Sequence, residues 1–148
     1  MTERGPLASM QVIHVDDLEY EAYVDETGRV PPGAAMKNLI DAERINPAFK
    51  ESSGNLVALT RFDPHYTAPS HWHPSDTLYI IKSGEFSVEG EGTYLPGDFR
   101  WVKGGTAYGS EMSGPDGCEF YLISLGPFDV IMPEDTPPPN GYWHEYLG

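Results

Sequence analysis

The stretch His71-Trp72-His73-Pro74-Ser75-Asp76-Thr77-Leu78-Tyr79-Ile80-Ile81-Lys82-Ser83-Gly84 decides how this chain is read. Two histidines one residue apart run into an apolar segment that ends at a glycine. In an extended strand, residues i and i+2 share a face, so His71 and His73 can grip one ion side by side. Imidazole suits zinc, iron, copper and nickel alike, so the pair predicts a metal without naming it. An isolated His-x-His reads more simply as two solvated strand histidines. The residues downstream of Gly84 shift that balance.

Outward from this stretch, strand candidates recur at 71–73, 77–82, 85–89, 93–95, 99–102 and 118–125. Turn residues punctuate them at Lys82-Ser83-Gly84, Glu89-Gly90-Glu91-Gly92, Pro96-Gly97-Asp98, Lys103-Gly104-Gly105 and Gly114-Pro115-Asp116-Gly117. Short strands broken by turns every 8 to 12 positions predict an antiparallel sandwich or barrel. Leu56 to Phe62 is a further β-rich run. Upstream, Gln11 to Val15 reads as a short strand, Val30-Pro31-Pro32-Gly33 as a turn, and Ala34 to Ile45 as either a strand pair or a short helix. The segment after Pro127 carries Pro137-Pro138-Pro139, then Tyr142, Trp143 and Tyr146. It is too proline-rich for a central strand, and its aromatics are expected to cap the barrel or meet a partner subunit.

At 148 residues the chain predicts one domain. A chain of that size buries about 70% of its extended surface, enough for a core without disulfides. The division expected is an arm over 1–54, a barrel over 55–128 and a packing tail over 129–148. Nine basic against 23 acidic residues give a formal charge of −14, and no basic stripe is present. That argues against a nucleic-acid partner and against an anionic membrane surface. The single cysteine, Cys118, allows no internal disulfide and reads as a buried structural thiol. No apolar run reaches membrane-spanning length, and Met1 to Pro6 lacks a signal-peptide core, so a cytoplasmic protein is expected.

These residues resemble the cupin superfamily, whose fold is an all-β jelly-roll barrel with a metal inside. The first cupin motif is His-x-His, then Glu, then Gly. Here His71, His73 and Gly84 stand in place, while the Glu slot falls on Thr77 or Leu78. Pro96-Gly97-Asp98 and Gly104-Gly105-Thr106-Ala107-Tyr108 match the second motif, with Tyr108 where its histidine stands. The resemblance covers roughly residues 54–128. Within the superfamily the chain is similar to small single-domain dioxygenases that cleave acetylacetone and related ketones. The similar segments are Ser70 to His73, Tyr79 with Lys82 and Gly84, Gly105 to Gly109, and Phe120-Tyr121 leading to Leu125-Gly126-Pro127. The resemblance implies one divalent metal, with Fe(II) favoured and Zn, Ni or Mn as alternatives. It also implies a small-molecule substrate and a homodimer, for which the strand at 11–15 is the pairing element.

The metal ligands expected are His71 and His73, with the third ligand open among Tyr108, Asp76 and Glu111. A phenol with a pKa of about 10 is a poor ligand unless the ion itself deprotonates it. Tyr108 therefore reads equally as a ligand, a proton donor or a packed core tyrosine. Asp76, in Pro-Ser-Asp, reads first as a turn residue bonding its own backbone. Glu89 and Glu91 beside a hairpin read as solvated, and His65 as an exposed loop histidine. Counting by two places Tyr79 and Ile81 inward, and the resemblance raises Tyr79 to a pocket residue. Of Arg100 and Trp101 only one can face in, and Trp101 is the expectation because an unpaired buried arginine is costly. Arg61 is the expected rim residue.

Three function classes remain open on the sequence. The first is a metal-dependent dioxygenase acting on a small carbonyl or aromatic metabolite. The second is a non-redox isomerase, lyase or cyclase in which Tyr108 or Tyr79 moves a proton. The third is a binding barrel without turnover.

Overall fold

The computed structural model describes residues 12–40 and 55–143. Within them lie β1 (Glu21–Ala22), β2 (Ala34–Ile40), β3 (Leu56–Phe62), β4 (Thr67–Ala68), β5 (Thr77–Val88), β6 (Gly92–Tyr94), β7 (Phe99–Val102) and β8 (Glu111–Ser124). They form one antiparallel sheet of order β1-β2-β3-β8-β5-β6, with β4 on β8 and β7 on β5. Ala34–Ile40 is a strand, and residues 41–45 of that reading lie outside the described residues.

Period-2 patterning builds the interior. On β3, Ala58, Thr60 and Phe62 face in, and on β8 Cys118, Phe120 and Leu122 do the same. The register Ala58↔Leu122, Thr60↔Phe120 and Phe62↔Cys118 stacks these side chains across the strand pair. Phe120 packs against Phe86 at 4.8 Å between ring centroids and against Phe62, edge-on, at 5.2 Å. Offset and edge-on rings are the arrangements aromatic quadrupoles favour.

On β5 the inward set changes parity, from Thr77, Tyr79 and Ile81 to Phe86 and Val88. Without a correction, such a slip would turn half the strand inside out. Register shifts between Ile81 and Ser83 and between Gly84 and Phe86 absorb it. Gly84 has φ +74°, and a Cβ there would stand 2.1 Å from the Gly117 carbonyl oxygen, so only glycine fits. The turn expected at residues 82–84 is therefore a kink inside one strand. The turn expected at residues 114–117 likewise lies within β8. Glycine marks positive φ, and turns and bulges share that need.

The strand expected over residues 11–15 is corrected: no strand runs through Val12–His14, and Val15–Asp17 forms a 3-10 turn closed by Asp17 N donating to His14 O at 2.9 Å. Gln11 lies outside the described residues. Residues 71–73 contribute two isolated bridges, His71↔Tyr108 and Trp72↔Ile131, instead of a strand. After β8 the chain returns across these bridges. Trp72 and Ile131 exchange backbone hydrogen bonds of 3.0 Å, Tyr142 bridges Ala107, and Trp143 packs on the core. Cys118 is buried, and burial followed by the charge of Glu111 pushes its thiol up to about 12. Among the described residues, no helix is long and apolar enough to cross a membrane.

Candidate metal and substrate site

Backbone pairing on both sides of residues 71–73 sets which side chains look inward. His71 O accepts from Tyr108 N at 3.3 Å and His73 O from Gly105 N at 2.7 Å. Between them Trp72 turns the opposite way, beneath the returning chain, and its indole Nε1 donates to Thr136 O at 2.9 Å. Alternation thus sends both imidazoles inward, where His71 and His73 are 5% and 4% exposed.

Each imidazole is held by its far nitrogen. His71 Nδ1 lies 2.8 Å from Pro69 O, and His73 Nδ1 lies 2.7 Å from Asp129 O. A carbonyl oxygen can only accept, so both Nδ1 atoms carry hydrogen, which makes Nε2 the lone-pair nitrogen of a neutral ring. This is the tautomer and outer support that metal-binding histidines use. Burial, and then the neighbouring His71, push the His73 pKa down to about 3, so that ring is neutral at ordinary pH.

The two Nε2 atoms converge on Tyr108. Its hydroxyl oxygen lies 2.8 Å from His71 Nε2 and 3.0 Å from His73 Nε2. Tyr79 Oη is 2.6 Å from Tyr108 Oη and 3.4 Å from His73 Nε2. Glu111, at the head of β8, brings Oε1 to 3.2 Å from His71 Nε2, while its buried Oε2 has no partner among the described residues. Among the described residues, no three His, Cys, Asp or Glu side chains are grouped to hold an ion. The third corner is a phenol.

This donor set fits a metal ion. Imidazole nitrogens with outer hydrogen-bond support are donors that divalent ions take, and in the structure the 2.8 and 3.0 Å Nε2–Oη separations are hydrogen bonds. His71 Nε2 and Glu111 Oε1 lie 3.2 Å apart, a contact that either a shared proton or a cation satisfies. Burial raises the Glu111 pKa, with the nearby His71 and Arg100 acting against it. Burial and then Glu111 also raise both phenols, Arg100 opposing, so without an ion both are protonated.

Behind the phenols sits a residue that the sequence pattern places outside. Arg100 is 6% exposed, and its guanidinium carbon stands 4.8 Å from the Tyr79 ring centroid and 4.5 Å from that of Tyr108. Trp101 is instead 64% exposed on the outer face of β7, which corrects the inward expectation. The reason is Glu91: its two carboxylate oxygens take Arg100 Nε and Nη2 at 2.7 and 2.6 Å, so the buried arginine is paired. Glu91, expected in solvent, has a side chain only 4% exposed. Apolar Val102, two positions from Arg100 and also buried, is the available signal for the strand's parity; nothing local marks Glu91 as the partner.

Other expectations sort cleanly. Asp76 Oδ1 accepts from Gly104 N at 2.8 Å and so fastens a turn outside the histidine cluster. Thr77, in the vacant Glu slot, is buried and donates to Ser75 O at 3.1 Å. His65 is an exposed loop residue. Arg61 is not at the rim: it lies on the outer face, its guanidinium 4.2 Å from the Tyr20 ring centroid, because its odd position on β3 points away from Thr60 and Phe62. Tyr20 in turn donates to Glu119 and pins the N-terminal segment there.

In front of the cluster, His71, His73, Tyr79 and Glu111 open onto a chamber of about 70 Å³ whose other walls include Phe120 and Phe128. One water needs about 10–15 Å³ on this measure, so the space suits a molecule of a few heavy atoms.

The sequence matches no family model and no curated protein. The fold does match solved structures. An acetylacetone dioxygenase from Acinetobacter johnsonii superposes with TM-score 0.65 at 19% identity, covering 90% of this chain and 85% of that one. A polyketide cyclase from Streptomyces resistomycificus gives 0.62 at 16% identity, covering 82% and 84%. A sugar phosphate isomerase of the cupin superfamily from Silicibacter pomeroyi gives 0.57 at 19%, covering 76% and 74%. At these identities the likeness establishes architecture: the chain has the cupin fold. The three structures carry different chemistries on it.

Proposed function

We propose that this chain is a metal-dependent enzyme acting on a small, largely apolar carbonyl or aromatic metabolite, as an oxygenase-type oxidoreductase that cleaves a ketone. One observation carries the reading: two imidazoles, each tied to a backbone carbonyl through Nδ1, aim their Nε2 atoms at one point, the Tyr108 hydroxyl, beside an apolar chamber. His71, His73 and Tyr108 would hold one divalent ion, Fe(II) first and Zn, Ni or Mn as alternatives, with Glu111 beside His71. Bound there, the ion would supply Lewis acidity and, as iron, access to O₂. Phe120, Phe128 and their neighbours would exclude water and take the apolar body of the substrate. Tyr79, hydrogen-bonded to Tyr108, can hold or give a proton at a substrate oxygen, and Glu111 can accept one.

A second reading, a non-redox isomerase, lyase or cyclase, is favoured by a specific observation. The third corner is one of two hydrogen-bonded phenols, groups suited to moving protons. Metal analysis of protein purified without chelator, followed by oxygen uptake with diketones and aromatic ketones, separates the two. Stoichiometric iron with substrate-dependent oxygen loss is the expected result. Stoichiometric zinc or nickel with turnover and no oxygen uptake would transfer the assignment to the second reading. A protein without stoichiometric metal overturns both and leaves a binding barrel.

A further inference from the structure

Among the described residues that line the chamber, all are buried except Tyr23, Val30, Ala34, Met36, Phe128 and Val130. These six mark its mouth, and they come from two pieces of chain. The first four belong to the β1–β2 hairpin, and Phe128 and Val130 to the segment that returns after β8. The returning segment is fixed: Asp129 O holds His73 Nδ1 at 2.7 Å, the Phe128 and His73 rings stack at 5.0 Å between centroids, and Trp72 pairs with Ile131. The hairpin is held more lightly, since β1 is only two residues long and both are exposed. Its tip is stiff all the same. The Asp25 carboxylate accepts from the Thr27, Arg29 and Val30 amides, so residues 25–30 move together.

A polar link joins the two rims. Arg29 Nη2, on the hairpin tip, lies 2.5 Å from Asp135 Oδ2 on the returning segment, and Arg29 Nη1 lies 3.9 Å from Glu134 Oε1. The Arg29 and Asp135 side chains are 37% and 53% exposed. An ion pair this open to water adds little to stability and is screened by salt, so it parts readily.

We propose that the tip of the β1–β2 hairpin is the moving lip of the chamber, and that the Arg29–Asp135 ion pair latches it shut. His71 and His73 are then reached from solvent only when the pair parts. The closed chamber takes a few heavy atoms, so any larger compound needs the open form. The latch acts whichever ion or substrate the site takes, and its test uses neither.

Diethyl pyrocarbonate acylates neutral imidazole and is larger than the closed chamber admits, so its reaction with His71 and His73 reports opening. The rate at each histidine is followed by peptide mass spectrometry on metal-free protein at neutral pH, with His65, in an exposed loop, as internal control. In the wild type, His71 and His73 are expected to react far more slowly than His65, and faster in about 0.5 M salt than in about 0.02 M. Arg29→Ala is expected to speed both by roughly two- to fivefold, to leave His65 unchanged and to abolish the salt dependence. Arg29→Asp combined with Asp135→Arg, which exchanges the ends of the pair, is expected to restore the slow rate. Unchanged rates at His71 and His73 in Arg29→Ala overturn the latch. An acceleration that only matches a fall in global stability, read by chemical denaturation, overturns it too, because unfolding then exposes the rings. Wild-type rates at His71 and His73 equal to that of His65 would show that no lip closes.

Discussion

Arg100 and Glu91 share two hydrogen bonds of 2.7 and 2.6 Å, although their side chains are only 5% and 4% exposed. The pair stands behind the two phenols of the site, with the guanidinium over both rings. Among the described residues Arg100 Nη1 has no partner, so the charge depends on Glu91 and on the ring faces.

Removing one member leaves the other charged, buried and alone. Glu91→Ala is expected to cost about 3–5 kcal/mol in chemical denaturation. Replacing both at once, Glu91→Leu with Arg100→Met, is expected to cost clearly less than the sum of the single changes, read from a double-mutant cycle.

Metal binding to the folded state raises its stability by mass action. A divalent ion added to chelator-treated protein at about 100 times its dissociation constant is expected to add about 2.7 kcal/mol. His73→Ala is expected to abolish that gain. A full thermal shift retained in the variant would remove His73 from the ligand set.

Tyr108→Phe keeps the ring and deletes the atom on which His71, His73 and Tyr79 converge. It is expected to lower the stability of metal-free protein by about 1–3 kcal/mol, since it strips partners from buried polar groups. Metal affinity is expected to fall at the same time. Tyr108→His, offering a third imidazole, is expected to bind metal more tightly than wild type, measured by competition with a chromophoric chelator.

Acidification should unfold the metal-free protein through His73. Its pKa is about 3 when folded against an ordinary 6.5, so between those values the unfolded chain binds the extra proton. Stability is fully present above pH 6.5 and falls as pH drops towards 3, by up to about 1.4 kcal/mol per pH unit. Glu111 works oppositely: its raised pKa means the folded state holds a proton longer, so its share is present at low pH and is lost as pH rises past the ordinary carboxylate value. Denaturation midpoints from about pH 3 to 7 in His73→Gln should show a flatter acid limb than wild type.

Trp101 stands on the outer face of β7 beside Phe99, both well exposed. Trp101→Ser is expected to leave metal affinity and ligand binding unchanged and to shift stability by no more than about 0.5 kcal/mol. A loss of ligand affinity in that variant would place Trp101 in the chamber after all.

Whatever repeats along a strand is legible in the sequence. The His71–His73 spacing, the inward Tyr79 and Ile81, and the glycine at 84 come from period-2 geometry and from the backbone angles that only glycine adopts freely. Glycine's signal is correct in kind and mistaken in form: at 84 and 114–117 it marks kinks within long strands instead of turns between short ones. The segment at residues 12–15 is not a strand, although Val12, Ile13 and Val15 are apolar, because a strand also needs a partner edge and none among the described residues pairs with it.

By itself, then, the sequence determined the all-β architecture, the paired imidazoles and the Tyr108 position, because each is encoded by residues close together in the chain. Tertiary structure alone decided that Arg100 turns inward and Trp101 outward, that the Glu91 side chain meets that arginine from the hairpin turn, and that the buried Thr60 hydroxyl has no partner among the described residues. The physical reason is that the cost of burying a polar group depends on whether a partner waits there: Arg100 on β7 finds one in Glu91 of the turn between β5 and β6, and Thr60 finds none among the described residues.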